Sequence, residues 1–255
     1  MILESIIIQC PHCRLISSHY EVMSGTIFQS ESYTDGKMEV ISGAYGENPF
    51  MIRCRSCRGF YFYSDHISNA PSVNRQLPRL TYEEYYLKRE DYLDAIRQLN
   101  LLSPQREKWL RIQFWWAIND IIRNDAGWSK HRSRILDIVN SILTPLKKIK
   151  WLHYRYPEYR KWIKHKHENL RMLLRLLTPA ENTDDACLSV EIYRELREFP
   201  SAKKHLKLIP NDCCQTYQRT QKHLLLRRDR FVRRIQQPSL PESSVQSEPV
   251  LVTGD

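Results

Sequence analysis

Cys10-Pro11-His12-Cys13 and Cys54-Arg55-Ser56-Cys57 set four of the chain's seven cysteines on two tight turns. A CxxC turn puts both sulfurs on one side of a loop, so two turns supply a tetrahedron of thiolates, the set that Zn2+ prefers at about 2.3 Å. Iron in the same S4 geometry is chemically allowed. A redox dithiol would need a single pair at a helix N-terminus in a βαβ setting, whereas two pairs stand here among β-formers. Four thiolates leave no open position for activating water, so the chemistry expected of Cys10, Cys13, Cys54 and Cys57 is structural. His12, between two ligands, is expected to point outward. Cys187, Cys213 and Cys214 have no CxxC partner and read as ordinary cysteines in or near helices, with the vicinal pair open to a redox or metal contact.

The elements that would hold these thiols read as strands. "GTIFQSESY" and "KMEVIS" flank Asp35-Gly36, a hairpin turn signal, while "FMIR" enters the second knuckle and "FYFYS" leaves it. Gly59 offers the second knuckle backbone freedom, and Pro11 stiffens the first. The front of the chain resembles the zinc-ribbon fold on these motifs, a resemblance that covers roughly its first quarter. Residues 1–67 are therefore expected to form a zinc-ribbon domain organised mainly by the thiolate site, with 68–80, "SNAPSVNRQLPRL", as a linker.

Helical patterns occupy 81–236. Thr81 and Glu84 have capping-box spacing and open "TYEEYYLKREDYLDAIRQLNLL"; Ser103-Pro104 opens "QREKWLRIQFWWAINDIIRN", a central buried helix with Trp109, Ile112 and Trp116 beside Leu110, Phe114, Ile118 and Ile121. Asn119, Asp120 and Arg123 are its one polar cluster, and they read as capping or ion-pairing groups. A further helix is expected over Ile135, Ile138, Val139 and Ile142. In the next, Ile163, Leu170, Leu174 and Leu177 make an apolar stripe opposite Arg160, Lys161, Lys164, Lys166 and Arg171. His165 and His167 do not share a face, which argues against a metal pair. "SVEIYRELREFPSAKKHLKLI" resembles a tetratricopeptide-type hairpin at Tyr193, Phe199, Ala202 and Leu206, with Arg197 where that family has a turn glycine. Residues 237–255, with three prolines and no Lys or Arg, read as a disordered tail. The predicted fold class is α+β, a small N-terminal β zinc ribbon followed by a mainly α-helical domain. Together these features resemble bacterial zinc-ribbon proteins of uncharacterised activity, and the likeness implies architecture alone.

Composition narrows the function. With 255 residues and 42% apolar side chains the chain can bury a core. No stretch approaches the roughly 18 apolar residues of a membrane span, and Glu4 stands where a signal peptide needs positive charge, so no membrane association and a cytoplasmic location are expected. The net charge is +10, but residues 1–70 hold five basic against seven acidic side chains, so the excess lies in the helical part. Lacking a catalytic constellation, the sequence reads as a zinc-stabilised interaction or scaffold protein that binds another protein through its helical domain, and not as an enzyme. The alternative is a nucleic-acid-binding protein using the basic helices, with Trp151, Tyr154, Tyr156 and Trp162 stacking on bases.

Overall fold

Short runs of β-formers broken by polar turns give three antiparallel strand pairs at the front of the chain. β1 (Ile2–Gln9) pairs with β2 (Ile16–Ser24), β3 (Thr26–Ser32) with β4 (Met38–Ala44), and β5 (Met51–Arg53) with β6 (Phe60–Phe62). β7 (Ile67–Ser68) joins the free edge of β1, giving the order β2-β1-β7. The computed structural model describes residues 2–24, 26–44, 50–65, 67–68, 77–98, 102–123, 157–180, 182–210 and 215–235. The helix expected around Ile135–Ile142, together with Trp151, Tyr154, Tyr156, Cys213, Cys214 and the 237–255 tail, lies outside the described residues.

The helices are α1 (Tyr82–Tyr85), α2 (Arg89–Gln98), α3 (Pro104–Arg123), α4 (Pro157–Leu176), α5 (Thr183–Glu195), α6 (Phe199–Leu206) and α7 (Gln215–Leu226). The chain is thus mixed α+β, with its strands first. Thr81 N–H donates to Glu84 Oε2 at 2.7 Å, the return half of the expected capping box. The expected single helix after it is split: α1 stops within one turn, and Asp91 caps a new start by accepting from Lys88 N–H at 2.9 Å.

Period-two alternation lets β5 and β6 serve two cores at once. Ile52 and Tyr61 pack in one cluster with Ile8, Cys10, Cys54, Tyr63 and Leu80. Met51 and Phe60 pack in one cluster with Ala95 of α2 and Leu110 of α3. Phe50 stacks on Trp109 with ring centroids 3.7 Å apart, and Arg53 pairs with Asp91. The β5–β6 pair and the helices α2 and α3 therefore share one apolar cluster. Behind it, α3 sends Phe114, Ile118 and Ile122 against Tyr159 and Trp162 of α4, and Trp115 against Leu170, Leu173, Leu177 and Ile192. Val190 of α5 and Ala202 and Leu206 of α6 close the hairpin between those helices.

Candidate metal centre

The two knuckles fold alike because they repeat one local pattern. Each first cysteine directly follows a strand, and the next strand begins six residues later, at Ile16 and Phe60. Cys10 N–H donates to Leu15 O and Arg14 N–H to Cys10 O, both at 2.9 Å. Cys54 N–H donates to Gly59 O at 2.9 Å and Arg58 N–H to Cys54 O at 2.8 Å. Arg14 and Arg58 both take φ of 61°, the left-handed backbone that closes such a turn. The left-handed position is thus Arg58, and Gly59 has a different task from the one expected. A Cβ at Gly59 would stand 2.6 Å from His12 Cδ2, so the missing side chain makes room for the imidazole. His12 does not simply point outward: its Nε2 meets Phe60 O at 3.1 Å and ties the first knuckle to the second.

The four predicted cysteines come together. Their sulfurs all lie within 4.8 Å of one another, with Cys10–Cys57 at 3.7 Å and Cys13–Cys54 at 3.6 Å. A tetrahedron with sulfur about 2.3 Å from its centre has an edge of about 3.8 Å, so this spacing fits a four-thiolate ion. Cys10 and Cys54 are buried and Cys13 and Cys57 exposed, which leaves the cluster half in the apolar core of the strands and half at the surface. Burial pushes the Cys10 thiol up to about 12, opposed by the backbone N–H groups of Cys13 and His12. Cys54 is also raised by burial, against the N–H groups of Cys57 and Ser56. The Leu15 N–H draws Cys13 down to about 6. A bound cation would replace the protons of the raised pair, while backbone donors already favour the thiolate form. Cys187 is a partly buried cysteine on α5, outside the cluster.

A second polar assembly lies at the other end of the β3–β4 hairpin, and sequence reasoning missed its central member. The hairpin tip enters the helices. Asp35 is 0% exposed; its Oδ2 accepts from Arg123 Nη2 at 2.5 Å and from Asn119 Nδ2 at 2.8 Å, and its carbonyl accepts from the Trp116 indole at 2.8 Å. Arg123 also pairs with Asp120, which binds Lys37 at 2.8 Å. Thr34 Oγ1 donates to Glu191 Oε1 at 2.8 Å and accepts from Arg233 N–H at 3.0 Å, while Glu191 pairs with Arg194. Burial raises the Asp35 carboxyl, with Arg123 and Asn119 pulling it back. Burial opposes the Arg123 charge, and Asp35, Asp120 and Glu39 outweigh it.

Asp120 and Arg123 are therefore ion-pairing groups, as their position suggested, and Asn119 hydrogen-bonds beside them; their partners Asp35 and Lys37 stand at the tip of the β3–β4 hairpin. Lys166, expected on the charged outer face of α4, is buried instead; it pairs with Glu195 and donates to Asn119 Oδ1 at 2.6 Å. Trp162, expected to be free for base stacking, is buried edge-on to Phe114 with centroids 6.0 Å apart. His165 meets Glu168 at 3.8 Å, and no metal-binding group forms around either histidine among the described residues. No helix among the described residues is long and apolar enough to cross a membrane.

Comparison with protein-family models, curated proteins and solved structures gives no match, so the ribbon and tetratricopeptide resemblances rest on the residues themselves.

Proposed function

We propose that this chain is a zinc-stabilised scaffold protein: Cys10, Cys13, Cys54 and Cys57 hold one structural Zn2+, and the clamped ribbon with its helices presents a surface to a partner protein. The observation that carries this reading is the four-sulfur cluster, with separations of 3.6 and 3.7 Å across two pairs and all four sulfurs within 4.8 Å of one another. Zinc supplies fixation of the two knuckles, and its full coordination leaves no water to activate. Asn119 and Arg123 bind Asp35, and Arg123 also pairs with Asp120, which supports a structural role for this cluster. Six of the ten large apolar side chains exposed among the described residues belong to the ribbon: Ile16, Tyr20, Ile27, Met38, Ile41 and Phe50. Exposed apolar surface of this kind favours a protein partner. A reducing compartment suits the thiolates, and the cytoplasm is part of this reading.

One observation favours nucleic acid as the alternative partner. Six acidic but only three basic side chains are buried among the described residues, so folding leaves the surface more basic than the sequence total. Metal analysis and affinity capture test both. The scaffold reading expects one zinc per chain and a co-purifying protein that resists nuclease; absence of metal refutes the first half, and loss of every partner on nuclease treatment refutes the second.

A further inference from the structure

The outer edge of β2 is used once and then left open. Ser18 N–H donates to Pro78 O at 3.0 Å and Leu80 N–H to Ser18 O at 2.9 Å, so residues 78–80 lie beside β2 in parallel. The chain then turns away, because Thr81 opens α1. Backbone groups alternate sides along a strand, so Tyr20 and Val22 aim theirs the same way as Ser18, away from β1. Among the described residues no backbone bond reaches them on that side, and β2 is an end strand in the order β2-β1-β7. The strand "ISSHYEVMS" also lacks Lys and Pro, two residues that keep an open edge from pairing.

The side chains around this edge define what fits it. Ile16 and Tyr20 are exposed. The Arg79 guanidinium lies 4.6 Å from the Tyr20 ring centroid, and its Nη2 donates to Tyr20 OH at 2.8 Å. Arg79 is exposed and pairs with no carboxylate among the described residues. Arg55 Nη1 donates to Arg79 O at 3.5 Å and meets Glu84 at 3.9 Å. An extended segment with apolar and acidic side chains suits such an edge. A second copy of the chain would instead bring the same arginines and a net charge of +10 against its own.

The chain itself carries a segment of that chemistry. Residues 236–255 hold Glu242, Glu248 and Asp255 and no Lys or Arg, and Val250-Leu251-Val252-Thr253 is a β-forming run set between Glu248 and Asp255. The reach is sufficient. Ile235 N–H donates to Ser32 O at 2.7 Å, and the path from there back along β3 to Val22 is about 40 Å at ~3.4 Å per residue, whereas the chain from Ile235 to Val250 extends to about 50 Å.

We propose that residues 250–253 add to the open edge of β2 at Tyr20 and Val22, with Glu248 drawn to Arg79, as an internal cover that a competing strand must displace. Main-chain bonds hold the segment and the charges select it. This contact is separate from the metal centre and stands whether or not the scaffold reading does.

The test is amide hydrogen exchange by NMR on the zinc-loaded full chain. The Tyr20 and Val22 N–H groups should exchange slowly, and Leu251→Pro, a change outside the described fold, should speed both about tenfold. Ser18 N–H, which is bonded to Pro78 O, should not change and serves as the internal control. Glu248→Lys should speed the same two amides at low salt and have less effect at high salt. Protection that is unchanged by Leu251→Pro, fast exchange of both amides in the parent, or protection that fades on dilution, which marks a second copy as the occupant, overturns the proposal.

Discussion

Replacing Asp35 with Ala should destabilise the whole molecule far more than an ordinary turn substitution. The carboxylate is 0% exposed, and the Arg123 side chain it pairs with is 1% exposed. Removing one partner of such a pair leaves a buried charge, at a cost of about 3–5 kcal/mol. Asp120 remains on Arg123 and is itself 25% exposed, so the lower end, about 3 kcal/mol, is expected. With a urea slope of about 3 kcal/mol/M, as suits a chain of this size, the midpoint falls by about 1 M. Asp35→Asn keeps an acceptor for Asn119 but loses the charge, and should cost about 2 kcal/mol. In the pair Asp35→Leu and Arg123→Met, apolar groups replace both ions, and the double variant should recover at least about 2 kcal/mol relative to the sum of the singles. The assay is urea unfolding of the zinc-loaded protein, followed by far-ultraviolet circular dichroism and by indole fluorescence. Trp116 donates to the Asp35 carbonyl, so the part of the indole emission change that disappears on Trp116→Phe reports hairpin docking. A cost below about 1 kcal/mol for Asp35→Ala, or strict additivity in the cycle, would refute the claim that this ion pair joins hairpin to helices.

Three further outcomes follow from the same geometry. Cys54→Ser should reduce bound zinc from one equivalent to none and lower the helical melting temperature as well, because Met51 and Phe60 carry the adjoining strands into the cluster of Ala95 and Leu110; unchanged helical melting would refute that coupling. Gly59→Ala should displace the His12 ring and weaken metal affinity about tenfold, while the added change His12→Ala, which removes the clash at 2.6 Å, should restore much of it; competitive chelation measures both. His167 is held at about 4 when folded against an ordinary 6.5, so the unfolded chain binds the extra proton between those values, and stability should fall as pH drops through that window. His167→Gln should flatten this acid-side loss in urea midpoints measured across the window, and an unaltered slope would remove His167 from the account.

What the sequence determined by itself is whatever depends on near neighbours. Two CxxC turns fix sulfur direction within four residues, so the clustering of the four cysteines was legible without a fold. The hairpin around Asp35-Gly36, the Ser103 start and the Thr81–Glu84 cap were legible for the same reason: each is a short-range hydrogen-bond or backbone preference. The sequence reading set Trp116 on the buried faces of α3 and passed over Trp115, yet Trp115 is fully buried and Trp116 partly exposed, because helical spacing alone does not say which side of a broad apolar face meets the other helices. Only the tertiary structure decided the fate of the charges. Asp35 reads as a turn residue whether its carboxylate meets water or Arg123, and Lys166 reads as one more lysine on a basic helix whether it meets solvent or Glu195. The physical reason is that an ion pair between distant segments imposes no periodicity and no spacing; it exists only once apolar packing has excluded water around both partners, and that exclusion belongs to the assembled core.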